Sequence, residues 1–587
     1  PLSRWSWMMS MDRTVRRCEE VGEPSIEELD ERRIEAAVQL ARGLVDEAAV
    51  IDARAGRRER RRRRRLRALV RDPKAADFTV RLTDEVTRIP VARKAAERLA
   101  QLVHEADLES FAMTDRVLLR IGARVAPVAP GLVMPLVTRR LRSESAAVIL
   151  AAEDPAFADH VARRRAEGVG CNVNVLGEAI IGADEARRRL DMVVARLCRP
   201  DVDYVSVKIS AICPDISVLA FADTIERVAV PLRVLYRCAA SFDPPKFVNL
   251  DMEEYRDLDL TVAVFRRVLD EPEFEHLDAG IVLQAYLPES RGAARELAEW
   301  AVRRHRGGGH TKIRIVKGAN LAMENVEAEL RGWEPAPYRH KADVDANYKA
   351  VLDILCDPAF DAAVRVGVAS HNLFDIAWAL VLGREMVESG RPDRLEIEML
   401  EGMAPSQSKA VRDAAGTVIL YTPVVNRSDF PAAIAYLVRR LDENTSPDNF
   451  LSHVFDLAAD RTLFAIEADR FRAAVRARGH VDQRSRRRQD RSLRPAAIAL
   501  ETPFENAADT DWTRSANRTW ITRSIESASS SQITIQPEIT KQTVDECVAT
   551  AVSARLSWST LDLTARAEII NRVADVFEAQ RGRLLAT

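Results

Sequence analysis

Polar and charged side chains recur through the middle of the chain, each at or just beyond the end of a short β-branched run. They are Asn174, Lys208, Asp251, Gln284, Arg314, Lys317, His371, Asn372, Glu398 and Tyr421. Any single member could be a buried polar group satisfied within the core, but many members at equivalent places indicate a common site. The cations among them favour an anionic small substrate together with a cofactor pyrophosphate, because guanidinium and ammonium groups bind carboxylates and phosphates.

A second cationic motif, YLVRRLDEN, begins at Tyr436. It places Arg439, Arg440 and Glu443 within two turns of a predicted helix. The spacing of Glu443 is also that of an ordinary surface ion pair, which contributes only a few tenths of a kcal/mol. Neighbouring residues of a helix diverge by ~100°, so both arginines can bind one carboxylate only if the helix lies across the site.

Motifs of several other enzyme classes are missing. The chain has no HExxH, GxSxG or GxxxxGK[ST] sequence and no carboxylates and histidines at metal-binding spacing. Metallohydrolase, serine hydrolase and P-loop functions therefore lack support, and no metal site is predicted. The cysteines lie far apart without a CxxC pair, which argues against a disulfide framework and a zinc site.

The elements that must position these residues are short strands that alternate with amphipathic helices. The β-branched runs are CNVNVLG from Cys171, DYVSVKIS from Asp203, KFVNLDM from Lys246, GIVLQAYL from Gly280, KIRIVKG from Lys312, VRVGVAS from Val364, LEIEML from Leu395 and TVILYTP from Thr417. Each is followed by a segment with helical periodicity. Eight β-then-α units predict an α/β fold, a closed (β/α)8 barrel of the TIM type, with a doubly wound open sheet as the alternative. Active sites of such barrels form at the carboxyl ends of the strands, where these polar residues fall.

The segments before and after the barrel differ from it in composition and in hydrophobic periodicity. We predict a helical arm over residues 1–140, the barrel over 141–465, a linker rich in Arg, Gln and Ser over 466–510, and a further helical piece over 511–587. The tract from Arg57 to Arg67 fits a nucleic-acid or membrane contact or, without any recognition motif beside it, a solvated Arg-rich segment. With no apolar run long enough to span a bilayer and no signal-peptide pattern, a cytoplasmic location is expected.

Together these motifs resemble the proline dehydrogenase family, specifically the flavin barrel of the bacterial bifunctional proline utilization A proteins. The resemblance covers roughly residues 80 to 455. Its motifs, in the family's order, are NVLGEA from Asn174, SVKISA from Ser206, VNLDMEE from Val248, VLQAY from Val282, RIVKGA from Arg314, ASHN from Ala369, EMLEGM from Glu398, LYTPV from Leu420 and YLVRRLDENTS from Tyr436.

The resemblance implies FAD-dependent oxidation of L-proline to Δ1-pyrroline-5-carboxylate by hydride transfer to the flavin, the first step of proline catabolism to glutamate. The substrate contacts that it implies are Lys208, Arg439 and Arg440 for the carboxylate, with Asp251, Tyr421 and Tyr436 completing the pocket. The FAD contacts that it implies are Gln284, Arg314, Lys317, Gly318, His371, Asn372 and Glu443. The implied electron acceptor is a membrane quinone, which would bring a cytoplasmic protein to the periphery of the inner membrane. An oligomer is compatible with the family, and no specific nucleic acid is expected.

The chain departs from the family at one place near the pocket. Members with a Tyr-Trp pair after KGA have aromatic groups there, whereas this chain has Asn320 and Leu321, which bears on substrate choice. Segments of residues 511–587 are similar to the opening of the family's second enzyme, a semialdehyde dehydrogenase. We expect this part to be the truncated start of an aldehyde dehydrogenase domain, without NAD-dependent activity.

Two other functions fit parts of the sequence. One is an aldolase-type barrel in which Lys208 or Lys317 forms a Schiff base. The other is a nucleic-acid-binding regulator built around Arg57 to Arg67, with the barrel as a ligand sensor. Borohydride trapping would detect the first, and salt-dependent DNA binding the second.

The arginine pair gives a first prediction. Replacing Arg439 or Arg440 by Met should raise KM for proline steeply and leave the bound flavin spectrum intact, because only the substrate carboxylate loses its partner. Steady-state kinetics and absorbance spectra measure both effects. Loss of FAD instead of proline affinity would show that the helix is wrongly assigned.

Overall fold

The computed structural model describes most of the chain. The described residues are 26–56, 72–109, 111, 113–145, 148–177, 180, 182–426, 429–430, 433, 436, 449–493, 506–530 and 539–586.

Parallel strands form a closed barrel. The strands are β1 (Leu150–Ala151), β2 (Val169–Val175), β3 (Tyr204–Lys208), β4 (Phe247–Asp251), β5 (Ala279–Gln284), β6 (Thr311–Val316), β7 (Val364–Ala369), β8 (Leu395–Leu400) and β9 (Val418–Val425). Strands β2 to β9 pair in chain order, and β9 hydrogen-bonds to both β8 and β2, which closes the sheet. β1 pairs only with the end of β9. The predicted (β/α)8 barrel is confirmed, and the open sheet is excluded.

Helices connect the strands and surround the barrel. The helices are Ile26–Arg54, Pro73–Arg81, Ala92–Glu105, Met113–Val125, Pro130–Ser145, Ala156–Ala166, Ala183–Leu197, Ile209–Ile212, Phe221–Ala240, Leu258–Leu269, Ser290–Arg304, Leu321–Arg331, Lys341–Leu355, Leu373–Glu388, Pro405–Ala415, Phe450–His453, Arg461–Ala477, Ser515–Ser530, Lys541–Thr560, Leu563–Ala579 and Arg581–Ala586.

The apolar composition of the strands follows from burial on both faces. Every residue of β5 is buried, because one face of the strand meets helices and the other faces the barrel interior. Leu250, Ile281 and Ile313 lie side by side on neighbouring strands and are fully buried. This row belongs to the layer between the sheet and the helices, which is the main hydrophobic core.

The predicted helical arm has two parts that pack differently. The helix Ile26–Arg54 lies against the helices Leu373–Glu388 and Pro405–Ala415 of the barrel, and Arg33 Nε donates to Glu385 Oε2 at 2.7 Å. The helices between residues 73 and 145 build a separate hydrophobic cluster of their own. The Arg57 to Arg67 tract lies outside the described residues.

The chain after the barrel remains in contact with it. The helix Arg461–Ala477 runs across the predicted boundary at residue 465. Beyond it, Arg291 Nη2 donates to the carbonyl of Arg478 at 2.6 Å, and the Tyr338 hydroxyl donates to the carbonyl of Asp482 at 2.5 Å. The described part of the predicted linker is therefore anchored to the barrel surface, while the domain boundaries themselves stay predictions.

The helices Lys541–Thr560 and Leu563–Ala579 are exposed along their length, whereas the final helix, Arg581–Ala586, packs against the helix Ser515–Ser530. No side chain of Lys541–Thr560 or Leu563–Ala579 is buried, and large apolar residues such as Val552 and Phe577 are 64% and 59% exposed. Within the described ranges, no helix combines the length and the apolar character needed to cross a bilayer.

A buried ion pair joins the two segments that follow the barrel, and it gives a stability prediction. Arg487 Nη1 lies 3.2 Å from Asp511 Oδ2, both side chains are at most 2% exposed, and the Arg487 guanidinium stacks 4.3 Å above the Trp333 ring. Asp511→Ala should lower the unfolding free energy by about 3 kcal/mol, because it leaves a buried arginine without its anion. Urea denaturation measures the loss.

The matched control breaks an exposed ion pair. Arg237 and Glu273 are 57% and 42% exposed, so Glu273→Ala should leave the denaturation midpoint unchanged. Equal losses in the two variants would contradict the stabilising role of the buried pair.

Candidate active site

The interior of the barrel is lined by ionic groups from alternate strands. Arg314 of β6 binds Asp251 of β4 through Nη2 and Glu398 Oε2 of β8 through Nη1, the latter at 3.2 Å. These strands are not neighbours, so the three side chains must meet across the barrel interior. All three are at most 7% exposed. Four-residue layers from alternate strands are the usual filling of such barrels, but here the layer is charged instead of apolar.

A second ionic layer lies next to the first, nearer the amino ends of the strands. Lys312 stands two residues before Arg314 on β6 and therefore points to the same side. Its ammonium lies 2.7 Å from Glu396 Oε2 and 2.5 Å from Glu398 Oε1, both on β8. Glu398 is thus ion-paired with both cations, which places its carboxylate at the centre of the network.

The ionic partners decide the protonation of the two cations. Burial lowers the pKa of Arg314, but the carboxylates of Asp251 and Glu398 outweigh it and raise that pKa above its ordinary value. The same balance, with Glu398 and Glu396 as partners, raises the pKa of Lys312. Both groups therefore carry a permanent charge at neutral pH.

A neutral tyrosine completes the network at the mouth. The Tyr421 hydroxyl donates to Asp251 Oδ2 at 2.8 Å and accepts from the Asn174 side chain. Burial and the neighbouring Asp251 raise the pKa of Tyr421 well above its usual range, so it keeps its proton. Tyr436 is buried beside it in a small apolar cluster with Phe430.

Lys208 is held by a residue that the sequence analysis did not single out. It ends β3 opposite Asp251 in the register, and its ammonium pairs with the Glu253 carboxylate. The main-chain carbonyl of Glu253 accepts from Gln284 Nε2 and from Asn320 Nδ2, each at 3.1 Å. Asn320, noted above as a departure from the family, thus fixes the loop that carries the partner of Lys208.

Lys317 lies in a cluster of lysines and aspartates at the start of two helices. Its ammonium is 2.6 Å from Asp345 Oδ1 and 2.7 Å from Asp375 Oδ2, and Lys341 and Lys349 pair with the same carboxylates. Burial lowers the pKa of Lys317, but the two aspartates outweigh it and raise the pKa above its ordinary value.

His371 and Asn372 follow β7 and mark the start of the helix Leu373–Glu388. Asn372 Oδ1 caps this helix by accepting from the amide of Phe374 at 2.9 Å. His371 Nε2 accepts from the amide of Leu400 at 2.9 Å, so a neutral His371 carries its proton on Nδ1.

Gly318 occupies a place that no side chain could share. Its φ of +120° lies in a region that other residues avoid, and an added Cβ would lie 2.5 Å from the Tyr286 ring. The backbone there approaches its neighbour because Tyr286 donates its amide to the carbonyl of Lys317 at 2.7 Å. The turn after β6 therefore offers bare backbone at the mouth.

Comparison with known proteins identifies the family. The model of the family described as proline dehydrogenase matches residues 157–453, which is half of the chain. The chain belongs to the proline dehydrogenase family.

Individual relatives of this family are similar over part of their length. The chain is 28% identical over 260 residues to the bifunctional protein PutA of Klebsiella aerogenes, which is 43% of this chain and 19% of that protein. It is 28% identical over 268 residues to the proline dehydrogenase of Deinococcus radiodurans, 44% of this chain and 74% of that protein. The solved structure of proline utilization A from Corynebacterium freiburgense is 40% identical, with a TM-score of 0.63 over 80% of this chain and 44% of that one. The chain thus spans a fifth of the curated PutA protein's length and less than half of the Corynebacterium protein.

The structure brings five of the predicted residues into contact with one another. Asn174, Asp251, Arg314, Glu398 and Tyr421 form one bonded network. The remaining described candidates, at the carboxyl ends of the neighbouring strands or just beyond, are Lys208, Gln284, Lys317, Gly318, His371, Asn372 and Tyr436. The predictions for Arg439, Arg440 and Glu443 lie outside the described residues. Among the described residues, no group of histidines, cysteines and carboxylates could hold a metal ion.

A separate cavity lies away from this network. It has a volume of about 270 Å³ and lies between the helix Ala183–Leu197 and the ends of β1, β2 and β9. None of the predicted site residues lines it. The network at the mouth, and not the cavity, is therefore the candidate site.

Sequence reasoning missed the partners that keep the site charged. Lys312, Glu396, Glu253, Asp345 and Asp375 were not singled out, although each holds a predicted site residue or its partner. The sequence did contain a pattern from which Lys312 and Glu396 could have been predicted. Charged or amide residues recur two apart in the runs KIR, EIE, NLD and NVN, which places them on one face of each strand.

A buried acid beside the mouth gives a pH prediction. Asp257 follows the loop that carries Glu253 and is 7% exposed. Burial raises the pKa of Asp257 to about 7, with Arg256 opposing and Glu254 and Glu253 adding to the rise. In the unfolded chain the pKa of Asp is ~3.9, so the folded state resists ionisation of this carboxyl.

Asp257→Asn should therefore stabilise the protein increasingly as the pH rises above ~4. The raised pKa of Asp257 costs nothing below pH ~4, costs progressively more between pH ~4 and pH ~7, and levels off at about 4 kcal/mol above that. Denaturation at pH 5 and pH 8.5 measures the difference in unfolding free energy between the variant and the wild type, which should be larger at pH 8.5. Equal differences at the two pH values would contradict the assignment.

Proposed function

We propose that the chain oxidises L-proline to Δ1-pyrroline-5-carboxylate with FAD as the cofactor. The observation that carries this proposal is the charged Arg314, held by two carboxylates at the mouth of a barrel of the proline dehydrogenase family. A fixed, buried cation suits a reaction in which negative charge develops on a neighbouring group.

Lys208 is the described cation best suited to bind the substrate carboxylate. It stands at the mouth, about a quarter exposed, and its partner Glu253 is exposed to a similar extent. A proline carboxylate can therefore replace the Glu253 carboxylate on the ammonium while Glu253 turns towards solvent. By the family resemblance, Arg439 and Arg440 would bind the same carboxylate, and Tyr436 would help to enclose the ring.

Asp251 and Tyr421 would orient the substrate without transferring a proton to or from it. Asp251 is bound by Arg314 on one oxygen and by the Tyr421 hydroxyl on the other, so its position is fixed from two sides. The proton of Tyr421 is held because its pKa is raised. Preorganised groups of this kind lower the cost of reaching the reactive geometry.

The residues around the mouth fit a flavin dinucleotide. Gly318 presents backbone without a side chain in the turn after β6, because the Tyr286 ring leaves no room for a Cβ, and Arg314 and Lys317 are cations suited to the cofactor's anionic groups. Gln284, His371 and Asn372 supply amide and imidazole groups around the same end of the barrel. FAD, when bound, supplies the two-electron acceptor for the hydride that leaves the substrate ring.

The lysines of the mouth do not favour the aldolase alternative. A Schiff base requires a neutral amine. The pKa of Lys317 is raised by two aspartates, and Lys208 is occupied by Glu253. Both therefore support binding through charge instead of nucleophilic attack.

The remaining partners are proposed from the family. We propose a quinone-type acceptor for the electrons, which would place a cytoplasmic protein at the inner membrane. An oligomer is compatible with this assignment.

The flavin reaction tests the proposal directly. The purified protein should be yellow and should bleach when L-proline is added without oxygen, with recovery when a quinone is supplied. Lys208→Met should keep the flavin and raise KM for proline about 10 to 100-fold, as expected for a lost charged hydrogen bond.

The control and the contrary outcome are both measurable. Lys74 is 72% exposed on a helix of the separate N-terminal cluster, so Lys74→Met should leave KM unchanged. A colourless protein that does not take up FAD would contradict the assignment of FAD as the cofactor. A Lys208→Met variant that loses flavin while keeping its proline affinity would overturn the role of Lys208 alone.

A further inference from the structure

We propose that Cys198 and Cys238 form a dithiol that a hydroperoxide converts to a disulfide. Cys198 directly follows the helix Ala183–Leu197, and Cys238 lies in the last turn of the helix Phe221–Ala240. Their sulfur atoms are 3.5 Å apart, in direct contact although the residues are 40 positions apart. Both are free thiols.

This contact distinguishes the two from the other cysteines that the structure describes. Cys171, Cys356 and the buried Cys213 lie within the packed barrel, and Cys547 is exposed on a C-terminal helix. Within the described ranges, Cys198 and Cys238 are the thiols whose sulfurs touch. Spacing along the sequence gave no sign of the pair, because the barrel topology brings the two helix ends together.

The two thiols are suited to different steps. Cys198 is exposed, so a small oxidant can reach its sulfur. Burial and the adjacent Cys198 raise the pKa of Cys238 to about 11, which keeps Cys238 protonated when the oxidant arrives. Cys198 is therefore the attacking thiol and Cys238 the resolving one.

A fixed cation stands beside the pair. The Lys246 ammonium donates to the carbonyls of Leu197 and Arg199, both at 2.6 Å, and these residues flank Cys198. Lys246 also lowers the pKa of Cys238, against the larger effects of burial and Cys198.

The reaction balances with one equivalent of hydrogen peroxide. The Cys198 thiolate attacks one peroxide oxygen, the O–O bond breaks, and hydroxide leaves, giving a sulfenic acid. The Cys238 sulfur then attacks the sulfenic sulfur, the S–S bond forms, the S–O bond breaks, and a second hydroxide leaves. The two thiol protons convert both hydroxides to water, so the two thiols lose two electrons and the peroxide gains them.

The disulfide would lie far from the candidate active site. Both helices run back from the carboxyl ends of β2 and β3 and lead into β3 and β4, so their ends lie at the amino ends of the strands. The bond would tie two outer helices together and shorten the free loop of the unfolded chain. We expect it to stabilise the fold and to leave the groups at the mouth unchanged.

Peroxide titration of the purified, flavin-loaded protein tests the inference. One equivalent should lower the intact mass by 2 Da, remove two titratable thiols, and yield a single cross-linked peptide pair containing Cys198 and Cys238. The melting temperature should rise by several degrees and return on adding dithiothreitol, while turnover stays unchanged.

Variants assign the roles and provide the control. Cys198→Ser should abolish the mass loss, and Cys238→Ser should stop at a sulfenic acid that dimedone traps. Cys547→Ser, which removes an exposed thiol without a neighbouring sulfur, should leave the cross-link intact. Peptide mapping of the oxidised wild type needs no variant: a different cysteine pair, or sulfinic acid at Cys198 without a cross-link, would overturn the inference.

Discussion

A charge buried in a protein must have its partner beside it, and this constraint shapes the whole interior of the barrel. Arg314 and Lys312 on β6 lie where most barrels of this type carry branched apolar residues. They are tolerated because β4 and β8 bring Asp251, Glu396 and Glu398 to the same layers. Removing one side chain of this network would deprive several buried groups of an ionic or hydrogen-bonding partner, since each carboxylate or cation contacts more than one partner.

The same network links the stability of the barrel to its chemistry. Closing the sheet requires β9 to pair with β2 as well as β8, and this register sets Tyr421 beside Asn172 of the next strand, within reach of Asn174. Tyr421 in turn bonds to one oxygen of the Asp251 carboxylate, and Arg314 bonds to the other. The groups at the mouth are thus positioned by strand pairing, the least deformable part of the fold, and loops supply only the outer contacts.

The sequence predicted the barrel because alternating strands and helices have strong and distinct periodicities. It also placed Asp251, Arg314 and Tyr421 at the mouth, since residues at the carboxyl ends of parallel strands must converge. It could not reveal which groups pair, because the Arg314 contact with Glu398 joins residues that are far apart in the chain. The anchoring of the Arg-rich segment after residue 477 was also unforeseen. An arginine in a solvated linker and an arginine that donates to a barrel carbonyl, as Arg486 does to Pro337, have the same appearance in the sequence until tertiary contacts are known.

The two amides on the Glu253 carbonyl have one more implication. Gln284 and Asn320 hold the main chain of this residue and leave its side chain to the Lys208 ammonium. A substrate carboxylate that binds Lys208, as we propose, must therefore compete with an anion that is already tethered at high local concentration. The gain in free energy on binding is the difference between two similar ion pairs, so a site rich in cations can still release its small ligand quickly.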